Sequence, residues 1–306
     1  INVYEGISNT AHYVHLLSPG DYLTIRREAF KNDGVEPDQY SAPDLVNWDT
    51  TKSTDWQHYI LGGTARTTDA QAGISGGNTN TKFLISANYH HETSVLPGGQ
   101  YYARGGFHFN TEHHSSNERL SVLLTGSYTK DKNVLPQPIT SYITLPPDFP
   151  VYDKAGNLNW DLYTLNPAAA LMQQTKSETE TLLSNLTISY RLWQELAVKL
   201  SVGYTKMQLT QFAKKPAASL NPLYGEANSA VFGDNSNSSY IAEPQLTYKK
   251  DFGKSAINAI AGSTWQKSIT EGTTIKGSNY ANEALLESLS AAGHIDYIQN
   301  NFTDYR

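Results

Sequence analysis

Residues 81–93, TKFLISANYHHET, alternate between two kinds of side chain along the chain. One set of alternate positions holds Phe83, Ile85, Ala87 and Tyr89, and the other holds Leu84, Ser86, Asn88 and His90. Because successive side chains of a strand point to opposite faces, this spacing predicts a strand with one apolar and one mostly polar face. The pattern leaves open whether the apolar face meets a protein core or lipid.

The same alternation returns in other segments of the chain. They are residues 102–112, 119–130, 184–192, 195–206, 242–250 and, less regularly, 255–266. Most of these segments are about ten residues long, the length that a tilted strand needs to cross a bilayer. Strands of β-sandwiches are more often about 5–6 residues long. The lengths therefore favour a large barrel over a sandwich.

The connections between these segments alternate in length. Short turns are expected at 76–81, 114–118, 193–195 and 250–254, and long links at 12–63, 132–180, 212–238 and 270–292, with one shorter link at 94–100. An up-and-down barrel of the outer membrane has tight turns at one end and long loops at the other. A Greek-key sandwich does not predict this alternation. We therefore predict an all-β, antiparallel, up-and-down transmembrane barrel.

Aromatic residues and helix signals add detail to this prediction. The apolar faces carry Tyr89, Tyr128, Tyr190, Tyr204, Tyr248 and Trp265, most of them near strand ends. Such positions are typical of the aromatic girdles of membrane barrels, although tyrosine also favours strands in general. Ser18, Pro19 and the apolar spacing that follows predict one short helix over 18–30 in an outer loop. Residues 164–173 are a candidate for a second helix inside a loop.

Composition narrows the function classes. The chain has 306 residues, of which 17% are charged and 39% hydrophobic, with a net charge of -6 and a mean hydropathy of -0.48. The net charge and the lack of a basic block argue against a nucleic-acid partner. Cysteine is absent, which removes disulfides, thiol catalysis and Cys-ligated zinc. Low hydropathy does not contradict a barrel, in which only alternate strand residues face lipid.

Five segments, in order, carry a family resemblance. They are LLSPGDYLTIRREAF (16–30), STDWQHYIL (53–61), DAQAGISGGNTNTKFLISANYHHETSVL (69–96), ERLSVLLTGSYTKDKN (118–133) and LPPDFPVYDKAGNLNW (145–160). Together they resemble the SusC/RagA-like class of TonB-dependent outer-membrane transporters of Bacteroidetes. The resemblance covers roughly the first half of the chain, and the second half matches only in its rhythm of strands and loops.

The resemblance implies function, partners and domain organisation. It implies import of oligosaccharides or peptides across the bacterial outer membrane, with a SusD-like surface lipoprotein as partner and energy supplied through TonB. It also implies a barrel of about 22 strands with a plug domain, whereas this sequence supplies about ten strands. We therefore expect residues 1–306 to be the N-terminal part of the barrel domain, without the plug domain and the C-terminal strands. A carbohydrate-binding β-sandwich and a passive porin are the alternatives.

Candidate site residues fall into two groups. The wall residues expected to face the lumen include Arg104, His108, Asn110, Arg191 and Glu243, which could equally form a generic polar interior. The loop residues that could bind a substrate are Tyr142, Phe149, Tyr152, Trp160 and Tyr163, because exposed aromatic rings are good platforms for sugars and peptide side chains. These rings could instead pack the loop on itself. No catalytic motif is present, so we expect neither an enzyme nor a cofactor or metal.

Overall fold

The computed structural model describes residues 1–160 and 166–306. Its strands are β1 Asn2–Asn9, β2 Thr64–Gly77, β3 Thr81–Thr93, β4 Tyr101–His114, β5 Leu120–Pro136, β6 Gln174–Trp193, β7 Leu196–Lys215, β8 Ser229–Phe252, β9 Ser255–Gly262, β10 Trp265–Ser278 and β11 His294–Tyr305. Its α-helices are α1 Pro19–Asp33, α2 Pro43–Val46, α3 Trp56–Leu61 and α4 Pro167–Met172. Short 3₁₀ turns occur at Thr140–Thr144, Ala217–Ser219, Pro222–Tyr224, Glu283–Leu285 and Leu289–Ala291.

All the strands belong to one antiparallel sheet in which neighbours in sequence are neighbours in space. Strands β9 and β10 lie end to end along β8, since Gln245 pairs with Gly262 and Ala242 with Trp265 in one unbroken register. The sheet is therefore ten strands wide, as predicted. The interruption faces Pro244, which accepts a bond from Ser263 N at 3.2 Å but has no N–H to return.

One face of the sheet is apolar over a band of constant height. Residues that pair directly on neighbouring strands have their side chains on the same face of the sheet. One such row crosses β5 to β8 and consists of Leu124, Leu186, Val202 and Ala242. On each of these strands the apolar positions span nine residues: Leu120–Tyr128, Leu182–Tyr190, Leu196–Tyr204 and Tyr240–Tyr248. Nine residues at about 3.3 Å each, tilted by about 40°, rise about 20–25 Å, the height of the lipid-facing band of a membrane barrel.

Tyrosines mark the ends of this apolar band. Tyr128, Tyr204 and Tyr240 lie at the end nearer the long loops, and the rings of Tyr204 and Tyr240 are 4.8 Å apart. Tyr190 and Tyr248 lie at the end nearer the short turns. Amphipathic rings at both margins of a band are expected where hydrocarbon gives way to headgroups. The band and its margins together answer the question left open by the sequence, because the apolar face meets lipid.

The strands continue beyond the band toward the long loops, further than the sequence predicts. The outward face there is charged: Lys130 bonds Glu180 at 2.7 Å and also contacts Glu178, which Lys132 contacts at 3.1 Å. The predicted links 132–180, 212–238 and 270–292 are therefore too long. Both faces are wet at this height, so the alternation that reveals a strand disappears.

The long loops carry the helices. Ser18 caps α1 by accepting from Asp21 N, Pro19 begins the helix, and Gly34 ends it in the left-handed conformation at φ 65°. The helix predicted over 18–30 is thus confirmed, and α4 lies within the candidate range 164–173. The sequence did not predict α2 and α3. With four and six residues, they are too short to show a helical period. No helix in the described ranges is long and apolar enough to span a membrane.

Candidate functional site

The long loops after β1 and β5 pack together into a compact unit, which we call the loop lobe: residues 10–63, 137–160 and 166–173. It contains two buried clusters. One comprises Ile60, Ile139, Tyr142 and Ala170, and the other comprises Trp48, Trp56 and Phe149. The buried core of this chain therefore lies mainly in its loops, while the wall presents its apolar face outward.

Backbone carbonyls of the loop after β5 fix the lobe. Trp56 donates its indole Nε1–H to Pro146 O at 2.9 Å, and Thr54 N donates to Pro147 O at 2.7 Å. Asn166 is fully buried, donates from Nδ2 to Val151 O and Asn159 O, and caps α4 through Oδ1. A buried amide that satisfies this many groups holds the loop in one conformation.

The predicted aromatic residues do not form one surface. Tyr142 and Phe149 are 8% and 2% exposed and belong to the two buried clusters, so they pack the loop on itself. Tyr152 is 54% exposed. Trp160 lines a small pocket of about 280 Å³ together with Tyr224. Tyr163 lies outside the described residues. Substrate binding by these residues stays a prediction, for which Tyr152 and Trp160 remain the accessible candidates.

A larger groove, which the sequence did not indicate, lies on the lobe. It has a volume of about 520 Å³, and its walls include Val14, Leu17, Tyr22, Trp56 and Leu145. The wall segment around Val14 is held by Gln57, whose amide accepts from Val14 N at 2.8 Å and donates to Val14 O at 2.6 Å. Apolar walls with aromatic rings suit an aliphatic or aromatic group of a ligand.

Next to this groove lies a partly buried cluster of charged side chains. Arg26 donates to both carboxylate oxygens of Asp44, from Nε at 2.7 Å and from Nη2 at 3.1 Å, and Tyr22 donates to Asp44 at 2.9 Å. Burial alone would raise the pKa of Asp44, but the bonds from Arg26 and Tyr22 outweigh it and lower that pKa. Burial raises the pKa of the neighbouring Asp148 to about 6.

The predicted lumen-facing residues all lie on the polar face of the sheet. On β4, Arg104, His108 and Asn110 stand opposite His90, Ser86 and Leu84 of β3. Arg191 lies on β6 toward a short turn, and Glu243 lies in the middle of β8, two and four strands away from β4. The five residues therefore share a face but form no common site, and their exposure to a lumen stays a prediction.

A polar network on that face includes residues that the sequence did not single out. Tyr102 donates to Asp131 at 2.5 Å, Arg104 lies 3.6 Å from the same carboxylate, and His90 bonds Asp69 at 2.8 Å. These contacts join β2 to β3 and β4 to β5, and only the strand register reveals them. In the described ranges, no three side chains among His, Asp and Glu are placed to hold a metal ion.

Comparisons with known proteins also indicate an outer-membrane barrel. No family profile matches the chain. TonB-dependent receptor P3 of Formosa agariphila is 24% identical over 349 residues, a match that covers 97% of this chain and 32% of that protein. The structure of the RagAB peptide importer in its closed-closed state matches with a TM-score of 0.76 and 16% identity, over 99% of this chain and 38% of that one.

The resemblance to SusC/RagA-like TonB-dependent transporters is confirmed. The open-open state of RagAB matches almost as well, with a TM-score of 0.72 and 17% identity. This chain spans about a third of the length of its curated relative, so it is similar to a section of a SusC/RagA-like barrel. The location is the bacterial outer membrane. A single sheet with one lipid-facing side also rules out the β-sandwich alternative.

Proposed function

We propose that this chain forms part of the wall and the outer loops of a TonB-dependent importer of oligosaccharides or peptides. We further propose that residues 1–306 are the N-terminal part of the barrel domain, and that the plug domain and the remaining strands belong to the same protein. A SusD-like surface lipoprotein would be the partner at the loop end. The proposed role involves no covalent chemistry.

One observation carries this proposal: the wall and the lobe are built for different surroundings. The apolar band between its tyrosine margins suits hydrocarbon, the opposite face is polar, and the strands rise well above the band into water. A packed lobe with buried tryptophans then covers one end of the wall. A structured lobe at the mouth of the wall suits capture of a bulky substrate before transport.

The substrate class rests on the surfaces of the lobe. The apolar groove beside Tyr22 and Trp56, together with the accessible rings of Tyr152 and Trp160, offers contacts for sugar faces or for apolar peptide side chains. RagAB is a peptide importer, which favours peptides by similarity. Ring platforms serve both ligand classes, so the experiment must include both.

The test uses the full-length protein in a native host that lacks the chromosomal copy. Uptake of fluorescent oligosaccharides and of fluorescent peptides would be measured with and without TonB, and after collapse of the proton-motive force. We expect uptake of one class that is lost in both treatments, and a lipoprotein that copurifies with the tagged transporter. Uptake that persists without TonB and without the proton-motive force would show a passive porin instead.

A further inference from the structure

Asp148 is an unusual group among the side chains of the lobe. It is 5% exposed, and neither of its buried carboxylate oxygens receives a hydrogen bond from another residue. Buried carboxylates nearly always accept hydrogen bonds, because burying an unpaired charge costs on the order of several kcal/mol. Asp148 lies in the PPDFP segment, whose flanking carbonyls, Pro146 O and Pro147 O, are already bonded to Trp56 and Thr54. The segment is thus held rigidly, and the carboxyl group has little freedom to turn toward water.

The groups that face Asp148 come from α1 and α2. Asp44 is its like-charged neighbour, and Arg26 is the nearby cation, but the guanidinium of Arg26 is already engaged by both oxygens of Asp44. On the other side, a groove beside Asp148 is lined by Asp49, Lys52, Asp153 and Lys154. Asp49 contacts Lys52 at 3.8 Å, and Asp153 accepts bonds from its own turn. None of these contacts neutralises Asp148.

Helices α1 and α2 form an arm, residues 18–47, between two firm attachments. Before the arm, Gln57 holds the backbone of Val14 through two hydrogen bonds. After the arm, Trp48 packs edge-on against Phe149 at 5.3 Å. Most of α1 is exposed, and its buried side chain is Leu23, whereas Ala42, Pro43 and Asp44 at the start of α2 are buried. Because α1 itself is lightly packed, the arm can move when the contact at Asp44 changes.

We propose that Asp148 is a proton-operated latch between this arm and the PPDFP segment. When the carboxyl group is protonated, Asp148 is neutral and the arm packs against it. When the group ionises, two carboxylates face each other over a single guanidinium, and the arm moves outward. A bound metal ion would be the other way to satisfy Asp148, but Arg26 already supplies the positive charge at Asp44, and within residues 1–160 and 166–306 no third carboxylate is placed to share an ion with them.

The direction of the pH dependence follows from the burial of Asp148. Burial raises the pKa of Asp148 from 3.8 to about 6, so the packed state favours the protonated form. The extra stability of the packed arm is therefore fully present below about pH 4 and is lost as the pH rises through about 6. A shift of about two pKa units corresponds to a roughly 100-fold change in the ratio of packed to released arm. The latch goes beyond the proposed transport and does not depend on which substrate is carried.

Pulsed electron spin resonance on the full-length protein would test the latch. Spin labels at Ala29→Cys on α1 and Ala155→Cys on the turn 153–157 would report the distance between the arm and the rest of the lobe. Both positions are exposed and uncharged, and this chain has no native cysteine. We expect the distance distribution to change between pH 4 and pH 8, with most of the change between about pH 4 and pH 6. A distribution that stays constant in the wild-type protein would overturn the proposal.

Two variants assign the transition. Asp148→Asn keeps the size and stays neutral, so its arm should remain packed at every pH. Asp49→Asn, which removes an exposed carboxylate near the same groove, should keep the wild-type transition. A transition that persists in Asp148→Asn would overturn the proposal. If that variant fails to fold, hydrogen exchange of residues 19–33 in the wild-type protein provides the test: about 100-fold more protection at pH 4 than at pH 8, after correction for intrinsic rates, supports the latch, and equal protection refutes it.

Discussion

Two adjacent leucines on β5 provide a sharp test of the wall assignment. Leu124 lies in the middle of the apolar span Leu120–Tyr128 and pairs with Leu186 on β6. Leu123 lies on the opposite face, between Glu112 of β4 and Thr187 of β6. The substitutions Leu124→Arg and Leu123→Arg therefore change the same residue type at the same height and differ only in the face that receives the charge.

The expected cost follows from the depth of Leu124. It is four residues from each end of the span, which is about 10 Å below either margin after allowing for strand tilt. An arginine near the bilayer midplane costs a barrel about 2–4 kcal/mol, which is roughly a 30- to 1,000-fold fall in the folding equilibrium constant. Leu123→Arg places the guanidinium beside Glu112 on a wet face, where we expect a change below about 1 kcal/mol.

Denaturant unfolding of the full-length barrel in lipid vesicles measures both values. Folding would be followed by tryptophan fluorescence and by the mobility shift of unheated samples on gels. The wild-type protein and Leu123→Arg should have similar midpoints, and the midpoint of Leu124→Arg should be clearly lower. Equal losses in the two variants, or a larger loss for Leu123→Arg, would refute the assignment of the apolar face to lipid.

Three further predictions concern single residues. On β3, Ile85→Arg should impair membrane assembly much more than Ser86→Arg, measured as the fraction of heat-modifiable barrel in outer membranes; equal fractions would contradict the register of β3. In the lobe, Phe149→Ala should cost about 3–5 kcal/mol of local stability, and the exposed Tyr152→Ala less than about 0.5 kcal/mol. Hydrogen exchange of residues 46–61 measures this, and similar exchange in both variants would argue against a packed lobe. Asn166→Ala should release the segment 151–159 to protease while the wall stays folded, because it removes a helix cap and two bonds to carbonyl oxygens; a fully resistant loop would be inconsistent with this role.

The wall could be predicted from sequence because it separates two different surroundings. Across β3 to β7, the alternation of side chains fixes which residues face lipid, and the short turns fix the pairing of neighbours. Tyr128 and Tyr204 even mark where the apolar band ends. The lobe could not be predicted in the same way. Its contacts join residues about 90 positions apart, such as Trp56 and Pro146, and no local pattern encodes such a distance.

Tertiary packing also explains why some of the predicted binding residues are buried. A loop rich in aromatic rings can present them to a ligand or bury them, and the sequence composition is identical in both cases. Burial of Phe149 depends on Trp48 and Trp56, which belong to a different loop, so the choice is made by tertiary packing. The burial of Asp148 results from this packing as well. The contacts that bury Phe149 also place the preceding residue, Asp148, inside the lobe near Asp44 and Arg26.

Strand ends in this chain show where periodic patterns stop being informative. An alternating pattern requires that the two faces of a strand meet different surroundings, and this holds only within the apolar band. Above the band, β5, β6, β7 and β8 continue for 8 to 11 residues, and polar side chains lie on both faces, as at Lys130 and Glu180 outside and Asn237 inside. The position at which the alternation is lost therefore indicates where a strand leaves the membrane. In a barrel of this kind, the residue at which period two disappears marks the membrane surface, and the end of the strand must be sought further along the chain.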